Sequence, residues 1–375
     1  MKLVANLKLR PTPEQAKALR RTMKTCNDAC NHVSGIAWNA KTFGQYSLQT
    51  SSYYEVRERF GLTAQAAVQC IKKVADAYKL DKKMRRKFRP DSAQPYDDRI
   101  IRFVSDEVVS LWTIDGREKI AYVCGEHQRK LLAHRKGEVD LMFVRGSFYL
   151  ACVCDVDDPA LIETTDVLGV DLGIVNIATD SNGTNYTGQA VETVRRRRQK
   201  RRRALQKVGT RSARRALKEA SGKQSRFQKH TNHCISKTLV ADAKRTASAI
   251  ALEDLEGIRE RVTVRKRQRA RLSNWGFHQL RSFVSYKATL SGIPVVLVDP
   301  RNTSKTCSVC GTIDRKNRPT RDRFACILCS FAADADYNAA LNIRQRGLSA
   351  RGILVTAPQV ATAYPSVSHE ESPRL

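Results

Sequence analysis

The 375-residue sequence has few acidic residues and no long apolar run. Asp and Glu number 37 against 67 Lys and Arg, so the formal net charge is +30 and the isoelectric point is near 10. No stretch reaches 18 consecutive apolar residues, which excludes a transmembrane helix, and the charged start MKLVANLKLRPTPEQ is unlike a secretory signal. A lipidation motif and a basic amphipathic helix with bulky aromatics are also missing, which disfavours a membrane surface. The one-signed charge therefore predicts a nucleic-acid partner, bound through its phosphates.

Eleven cysteines are present, but only four of them stand in paired spacing. Cys307 and Cys310 form one CxxC pair and Cys326 and Cys329 a second, with fifteen residues between the inner cysteines. This spacing is typical of a ribbon that binds one tetrahedral, structural zinc ion, and four thiolates leave no open position for catalysis. The other seven cysteines are interpreted as small apolar residues. Paired metal ligands in place of disulfides predict a reducing, cytoplasmic environment.

A strand and a helix are expected at the start of the chain. Residues 2–9 alternate between apolar and polar, as in a half-buried strand. Thr12, Pro13 and Gln15 then form a capping box that begins a helix running to about Trp38.

Between residues 44 and 156 the spacing of apolar residues changes once, from the helical period to the alternation of strands. Residues 47–52 are expected to form a loop, followed by a short helix to Phe60 and a helix capped by Thr63. The period then becomes two, which predicts five strands, at residues 100–104, 108–114, 120–123, 139–144 and 148–156. Short strands with tight turns indicate a small β-barrel, which the first strand joins and which the helices interrupt.

The stretch LGVDLGIVNIATDSNG, residues 168–183, reads as a strand pair with one acid, Asp171, inside an apolar run. A buried carboxylate without a partner is costly, so Asp171 is either hydrogen-bonded in the core or binds a metal, and the stretch alone leaves both open. Glu253 ends a second apolar strand, and residues 293–298 form a third. Strands that alternate with helices across residues 167–298 predict an α/β sheet.

Between the first two of these strands the sequence becomes strongly basic. Residues 195–229 contain sixteen Lys or Arg and one acid. Helix-forming residues predict a helix that lies along phosphates, and a disordered basic arm is the alternative. A second basic segment spans residues 259–271, before a helix capped by Ser273. The predicted nucleic-acid contacts are Arg195, Arg196, Arg197, Arg198, Lys200, Arg201, Arg202, Arg203, Arg211, Arg214 and Arg215.

An Ala-rich run that begins at Ala332 is expected to be a helix with acids in its first turn. These acids could simply complement the helix dipole. Alternatively, Asp336 converges with Asp171 and Glu253, and three such carboxylates can bind two Mg2+ or Mn2+ ions for phosphodiester cleavage.

Four motifs in fixed order resemble the TnpB (OrfB) proteins of bacterial and archaeal insertion sequences, which are related to type V CRISPR effectors. They are GVDLGI with Asp171, ALEDLEGI with Glu253, the ribbon TSKTCSVCG…CILC, and ADADYNAALNI with Asp336. The resemblance covers essentially the whole chain. It implies that Asp171, Glu253 and Asp336 form a catalytic triad. Asp336 ranks above Asp334 because it directly precedes the Tyr-Asn-Ala-Ala run.

The resemblance also implies a domain organisation. A RuvC-like nuclease domain of the RNase H fold would span residues 166–303 and 332–347, with the zinc ribbon at 304–331 inserted in it. A wedge β-barrel at 1–11 and 90–160 would be interrupted by a helical recognition module at 12–89. Residues 348–375 lack periodicity, and we expect a largely disordered tail.

The implied function is that of a transposon-associated, RNA-guided DNA endonuclease. A guide RNA from the element's end would pair with double-stranded target DNA, so the protein would need basic surfaces more than base-reading side chains. A transposase that joins strands itself is one alternative, disfavoured because no helix-turn-helix is evident. A non-catalytic repressor is the other, disfavoured by the three intact acids. We expect a monomer in a prokaryotic cytoplasm, associated with the nucleoid and with no membrane contact.

Overall fold

The computed structural model describes residues 1–255 and 276–350. The chain divides into one compact unit over Met1–Asp157 and a second from Asp158 onward. The predicted basic segment at 259–271, the Ser273 cap and residues 351–375 of the predicted tail lie outside the described residues. Every helix within the described residues is too short or too polar to cross a lipid bilayer.

The first unit is built on one antiparallel, seven-stranded sheet that curls into a nearly closed barrel. Its strands are β1 (Lys2–Arg10), β2 (Gln94–Tyr96), β3 (Ile101–Phe103), β4 (Val108–Thr113), β5 (Gly116–Val123), β6 (Arg135–Val144) and β7 (Ser147–Asp155), in the order β2-β6-β7-β1-β5-β4-β3. The first strand lies between β7 and β5, which confirms that it joins the later strands. Strand β2 and a short helix, α4 (Glu126–Leu132), were not predicted, because three and seven residues show little periodicity.

Three helices follow β1: α1 (Pro13–Ala40), α2 (Gln45–Phe60) and α3 (Ala64–Leu80). The capping box of α1 is present, with Thr12 Oγ1 accepting from Gln15 N at 3.3 Å and Gln15 Oε1 accepting from Thr12 N at 3.1 Å. The loop expected at residues 47–52 is wrong, since they lie inside α2. That helix buries a single line of side chains at every fourth position, Leu48, Ser52 and Val56, which is too sparse a pattern to show helical periodicity.

The second unit contains a mixed, five-stranded sheet. Its strands are β8 (Asp166–Asp171), β9 (Asn176–Asp180), β10 (Asn185–Thr187), β11 (Ser248–Glu253) and β12 (Val295–Val298), in the order β10-β9-β8-β11-β12. Strands β8, β11 and β12 are parallel, whereas β9 and β10 are antiparallel to their neighbours. This arrangement confirms the predicted α/β sheet.

Helices cover both faces of this sheet, as buried parallel strands require. The helices of this unit are α5 (Gln189–Val208), α6 (Arg211–Ala220), α7 (Lys223–Arg245), α8 (Phe277–Leu290) and α9 (Ala335–Ser349). Apolar residues of α7 and α8 pack with Ile250 and Leu252 of β11. On the opposite face, Ala249 and Ala251 of β11 pack with Ile343 of α9. The basic run at residues 195–229 lies in α5, α6 and the start of α7, so it is helical and not a disordered arm.

Helix α9 lies unusually close to strand β8. A Cβ atom at Gly169 would stand 2.3 Å from the Ala340 carbonyl oxygen and 2.4 Å from the Arg344 backbone nitrogen. No side chain fits in that space, so glycine lets the helix backbone rest on the strand. The helix begins at Ala335, three residues later than predicted, because residues 332–334 form strand β14 (Ala332–Asp334) with β13 (Arg323–Ala325). It ends at Ser349, inside the expected tail.

Candidate functional site

Two of the predicted acids meet at one edge of the mixed sheet. In the parallel pair of β8 and β11, Val170 is opposite Leu252. One residue further along each strand come Asp171 and Glu253, so their side chains reach the same carboxyl edge. Asp336 lies in the first turn of α9, the helix that rests on β8.

Asp171 is close enough to the other two acids to be influenced by both. Burial raises the pKa of Asp171 well above its usual range, and the charges of Glu253 and Asp336 raise it further. The positive charge of Arg318 acts in the opposite direction. Burial and the neighbouring charges of Glu253 and Asp336 thus disfavour the ionised form of Asp171.

Glu253 is buried at the end of its strand, with 7% of its surface exposed. Its Oε1 accepts a hydrogen bond of 2.5 Å from the Thr303 hydroxyl. Burial raises the pKa of Glu253, while the Thr303 hydrogen bond and the charge of Arg346 lower it. The carboxylate is therefore oriented by a neighbour outside its own strand.

Asp336 and Asp334 have different roles in the structure. Asp336 Oδ2 accepts from Asn176 Nδ2 at 2.9 Å, and Asp336 Oδ1 accepts from Arg318 Nη2 at 3.3 Å. Asp334 is the N-cap of α9, and its Oδ1 accepts from the backbone nitrogens of Asp336 and Tyr337 at 2.9 and 3.1 Å. The Asp334 carboxylate is thus used to cap the helix, which leaves Asp336 to face the other acids.

The four paired cysteines gather as predicted. Their sulfur atoms all lie within 4.8 Å of one another, with 3.6 Å between Cys307 and Cys329 and 3.5 Å between Cys310 and Cys326. A tetrahedral ion with Zn–S bonds of about 2.3 Å separates its sulfurs by about 3.8 Å, and a disulfide would need about 2.05 Å. The four thiols therefore fit a structural zinc ion. Hydrogen bonding with the side chain and then the backbone of Thr312 lowers the pKa of Cys310 to about 6, which favours the thiolate that zinc binds.

The two cysteine turns of the ribbon are built alike. Cys307 N donates to Thr312 O at 2.9 Å, and Cys326 N donates to Phe331 O at 2.8 Å, each five residues further on. Each turn contains one residue with left-handed backbone, Gly311 (φ 77°) in the first and Ser330 (φ 61°) in the second. The ribbon thus repeats one backbone conformation around its metal site.

A buried asparagine joins the two turns. Asn317 Nδ2 donates to Lys305 O and Thr312 O, both at 3.0 Å, and Asn317 Oδ1 accepts from Ile327 N at 3.0 Å. Its side chain is fully buried. The polar segment between the cysteine pairs therefore contributes a bridge that holds the four ligands in place.

Most of the predicted nucleic-acid contacts are exposed on α5 and α6. Arg195 and Arg198 are half-buried, and the other nine predicted residues are exposed. Arg195 donates to both carboxylate oxygens of Glu192, at 2.6 and 2.7 Å, and this bond raises the pKa of Arg195. Arg196 also donates from Nε to Glu192 Oε1 at 2.8 Å, so both arginines are paired at the start of the basic helix, and the other exposed residues of the set present guanidinium and ammonium groups.

Sequence reasoning missed three residues that touch the acids: Arg318, Asn176 and Thr303. Asn176 stands five residues after Asp171 in the same motif, so its position was a usable signal. Arg318 is one of many basic residues between the cysteine pairs, and nothing local distinguishes it. Thr303 lies fifty residues from Glu253, a contact that only the fold creates.

The fold and the site define an α/β protein whose sheet carries an acidic cluster, beside a four-cysteine ribbon inserted before the last helix. Family models agree with this: residues 151–256 match the model described as "Probable transposase", of the OrfB type, and residues 277–343 match "Cas12f1-like, TNB domain". The chain is a relative of the TnpB and Cas12f proteins, which confirms the resemblance seen in its motifs.

Individual proteins support the same relationship. A CRISPR-associated endodeoxyribonuclease Cas12f1 of Sulfoacidibacillus thermotolerans is 33% identical over 200 residues, 49% of this chain and 46% of that protein. The TnpB-like protein MJ0751 of Methanocaldococcus jannaschii is 36% identical over 129 residues, 34% of this chain and 45% of that protein. The chain thus spans about half the length of these curated relatives.

The fold has a counterpart among solved structures. The cryo-EM structure of a Cas12f1–sgRNA–target DNA complex matches with a TM-score of 0.58 and 17% sequence identity, over 89% of this chain and 83% of that chain. At this identity the likeness concerns the fold alone.

Proposed function

We propose that the chain is an RNA-guided DNA endonuclease that cuts target DNA at the acidic cluster, with Asp171, Glu253 and Asp336 as its catalytic metal ligands. The observation that carries this proposal is the placement of the three acids: Asp171 and Glu253 end neighbouring parallel strands, and Asp336 lies in the first turn of the helix that rests on β8. Carboxylate oxygens are hard ligands that suit Mg2+ or Mn2+. Bound divalent ions would supply activation of water and stabilisation of the leaving oxygen in phosphodiester cleavage.

The residues around the acids would hold them ready for this chemistry. Thr303 orients Glu253, and Asn176 and Arg318 each donate to one oxygen of Asp336. Arg318 also places a positive charge where the anionic backbone of DNA would approach. Because these donors lie on different elements, the cluster is ordered only in the folded second unit.

The RNA and DNA partners are part of the proposal. Its support is the names of the relatives, which include a "Putative RNA-guided DNA endonuclease" of Streptomyces pristinaespiralis, and the exposed arginines of α5 and α6. We assign phosphate contacts to those helices. In the second unit, β10, β9 and β8 pair antiparallel in turn, and β11 and β12 run parallel to β8. This order supports a RuvC-like domain of the RNase H fold.

The test uses the full chain purified with its co-purifying RNA. That RNA is sequenced, and DNA carrying the matching target beside a randomised flank is offered with Mg2+. We expect cutting by the wild type and by Asp322→Asn, whose side chain is 75% exposed, and loss of cutting with retained RNA in Asp171→Ala. Cutting by Asp171→Ala would refute the site. Joining of DNA ends would instead support a transposase, and binding without cutting would support a repressor.

A further inference from the structure

The zinc ribbon is tied to the acidic cluster by buried polar side chains. The connection starts at Thr303, which has 3% of its surface exposed and lies just before the first cysteine turn. Its hydroxyl has two acceptors within reach, Glu253 Oε1 at 2.5 Å and Pro300 O at 3.1 Å. The hydroxyl has one proton, and an ionised carboxylate is the stronger acceptor, so Thr303 orients Glu253.

The backbone of Thr303 is held in turn by helix α9. Asn342 Nδ2 donates to Thr303 O at 2.9 Å and to Thr306 O at 2.7 Å. Asn342 is buried, with 6% of its surface exposed. Both amide protons therefore bind the segment that carries Thr303, and this segment can leave the helix only at the cost of unpaired buried groups.

A second asparagine, one helical turn earlier, continues the connection into the metal site. Asn338 Nδ2 donates to Thr306 O at 2.9 Å, and Asn338 Oδ1 accepts from Ser308 N at 3.1 Å. Ser308 follows Cys307 directly inside the first cysteine turn. Asn338 and Asn342 are four residues apart, so they share one face of α9, the helix whose first turn contains Asp336.

We propose that Thr303, Asn338 and Asn342 are positioning residues that couple the zinc ribbon to the divalent-ion site, so that a loaded ribbon is needed for tight binding of the catalytic ion. This rests on the proposed function of the acids. Zinc would fix the cysteine turn, the two asparagines fix residues 303–308 against α9, and Thr303 orients Glu253. Loss of a residue that orients a metal ligand typically lowers metal affinity about 10- to 100-fold.

The coupling is tested by Mn2+ titration of the full-length, zinc-loaded protein, with free Mn2+ measured by electron paramagnetic resonance. Thr303→Val removes the hydroxyl and keeps the branched shape, and we expect Mn2+ affinity about 10-fold lower with an unchanged zinc content. Thr303→Ser keeps the hydroxyl and should restore affinity to within about 2-fold of the wild type, since the bond to Glu253 is retained. The matched control is Thr289→Val, which loses a hydroxyl bonded within α8 and should bind Mn2+ like the wild type.

The asparagines and the zinc ion are tested in the same assay. Asn342→Asp and Asn338→Asp replace donors with acceptors and should lower Mn2+ affinity while speeding zinc loss to a chelator. Removal of zinc from the wild type should lower Mn2+ affinity at least as much as Thr303→Val. Unchanged affinity in folded Thr303→Val, or in zinc-depleted wild type, would overturn the coupling.

The two proposals fail in different ways. If Asp171→Ala binds Mn2+ as the wild type does, the acids do not form the ion site and the proposed function fails. If Asp171→Ala loses Mn2+ binding but Thr303→Val does not, the acids form the site and only the coupling is refuted. Circular dichroism of each variant confirms that the fold is retained.

Discussion

The guanidinium of Arg318 lies 3.3 Å from a carboxylate oxygen of Asp336, so a residue of the zinc ribbon reaches the acidic cluster. Arg318 also donates from Nε and Nη2 to Arg321 O, at 3.0 and 2.6 Å, which fixes the guanidinium. Its charge opposes the rise in the pKa of Asp171. The ribbon thus contributes to the electrostatics of the cluster as well as bringing its four thiols together.

Replacement of Arg318 should affect cutting more than RNA binding. Because a fixed charge at the reacting centre is lost, we expect Arg318→Ala to cut DNA roughly 100-fold more slowly in single-turnover assays. Arg318→Lys should recover part of the rate, since a lysine restores the positive charge but not the planar guanidinium with its several donors. Arg321→Ala, three residues further on with a half-exposed side chain, is the control and should cut normally. Wild-type rates in Arg318→Ala would remove this residue from the site.

Neutralisation of Asp171 should stabilise the protein as it removes activity. The pKa of Asp171 is raised on folding, so the folded state holds its proton more tightly and loses stability as pH rises above about 3.9, the ordinary value of an Asp. The Asp171→Asn variant has no ionisable group at this position, so it does not lose stability in this way as the pH rises. Without added divalent ions, we expect its melting temperature at pH 8 to exceed that of the wild type by about 2–4 °C for each kcal/mol gained.

Calorimetry of both proteins at pH 5 and pH 8 measures this effect. The difference between Asp171→Asn and the wild type should be larger at pH 8, and Asp322→Asn should show no such difference because its side chain is exposed. A stability difference that is absent, or the same at both values of pH, would contradict the repulsion inferred at the cluster.

The two cysteine turns should respond oppositely to exchange of their left-handed residues. Ser330 adopts φ 61° where the first turn has Gly311 at φ 77°. A side chain in this region costs about 1–2 kcal/mol, so Ser330→Gly should slow zinc release to a chelator and Gly311→Ala should speed it. A coloured chelator records both rates. Faster release from Ser330→Gly would show that the serine side chain has a stabilising role that outweighs its backbone cost.

The exposed arginines of α5 should determine the salt dependence of nucleic-acid binding. Replacing Arg201, Arg202 and Arg203 together by Gln removes three exposed charges. We expect weaker RNA binding and a slope of log affinity against log salt that is less steep by about 0.7 for each lost phosphate contact. Gln206→Ala on the same helix is the control, and fluorescence anisotropy across a salt series gives the slopes. An unchanged slope in the triple variant would show that the RNA phosphates are contacted by other residues.

The sequence by itself determined the features that depend on neighbouring residues. The spacing of Cys307 and Cys310, repeated at Cys326 and Cys329, predicts the ribbon because a CxxC turn brings two thiols together locally. The capping box of Thr12 and Gln15 likewise spans three residues. Local geometry follows from local sequence, so these predictions needed no fold.

Only the tertiary structure decided the features that join distant parts of the chain. The sequence ranks Asp336 above Asp334 only by its place before the Tyr-Asn-Ala-Ala run, whereas the structure gives the two acids different contacts: Asp334 caps α9, and Asp336 accepts from Asn176. The contact of Thr303 with Glu253 and that of Arg318 with Asp336 join residues far apart in the chain, which the fold brings together where α9 packs on one face of the sheet. Burial raises the pKa of Asp171 there, and burial is a property of the folded chain that no short stretch of sequence contains.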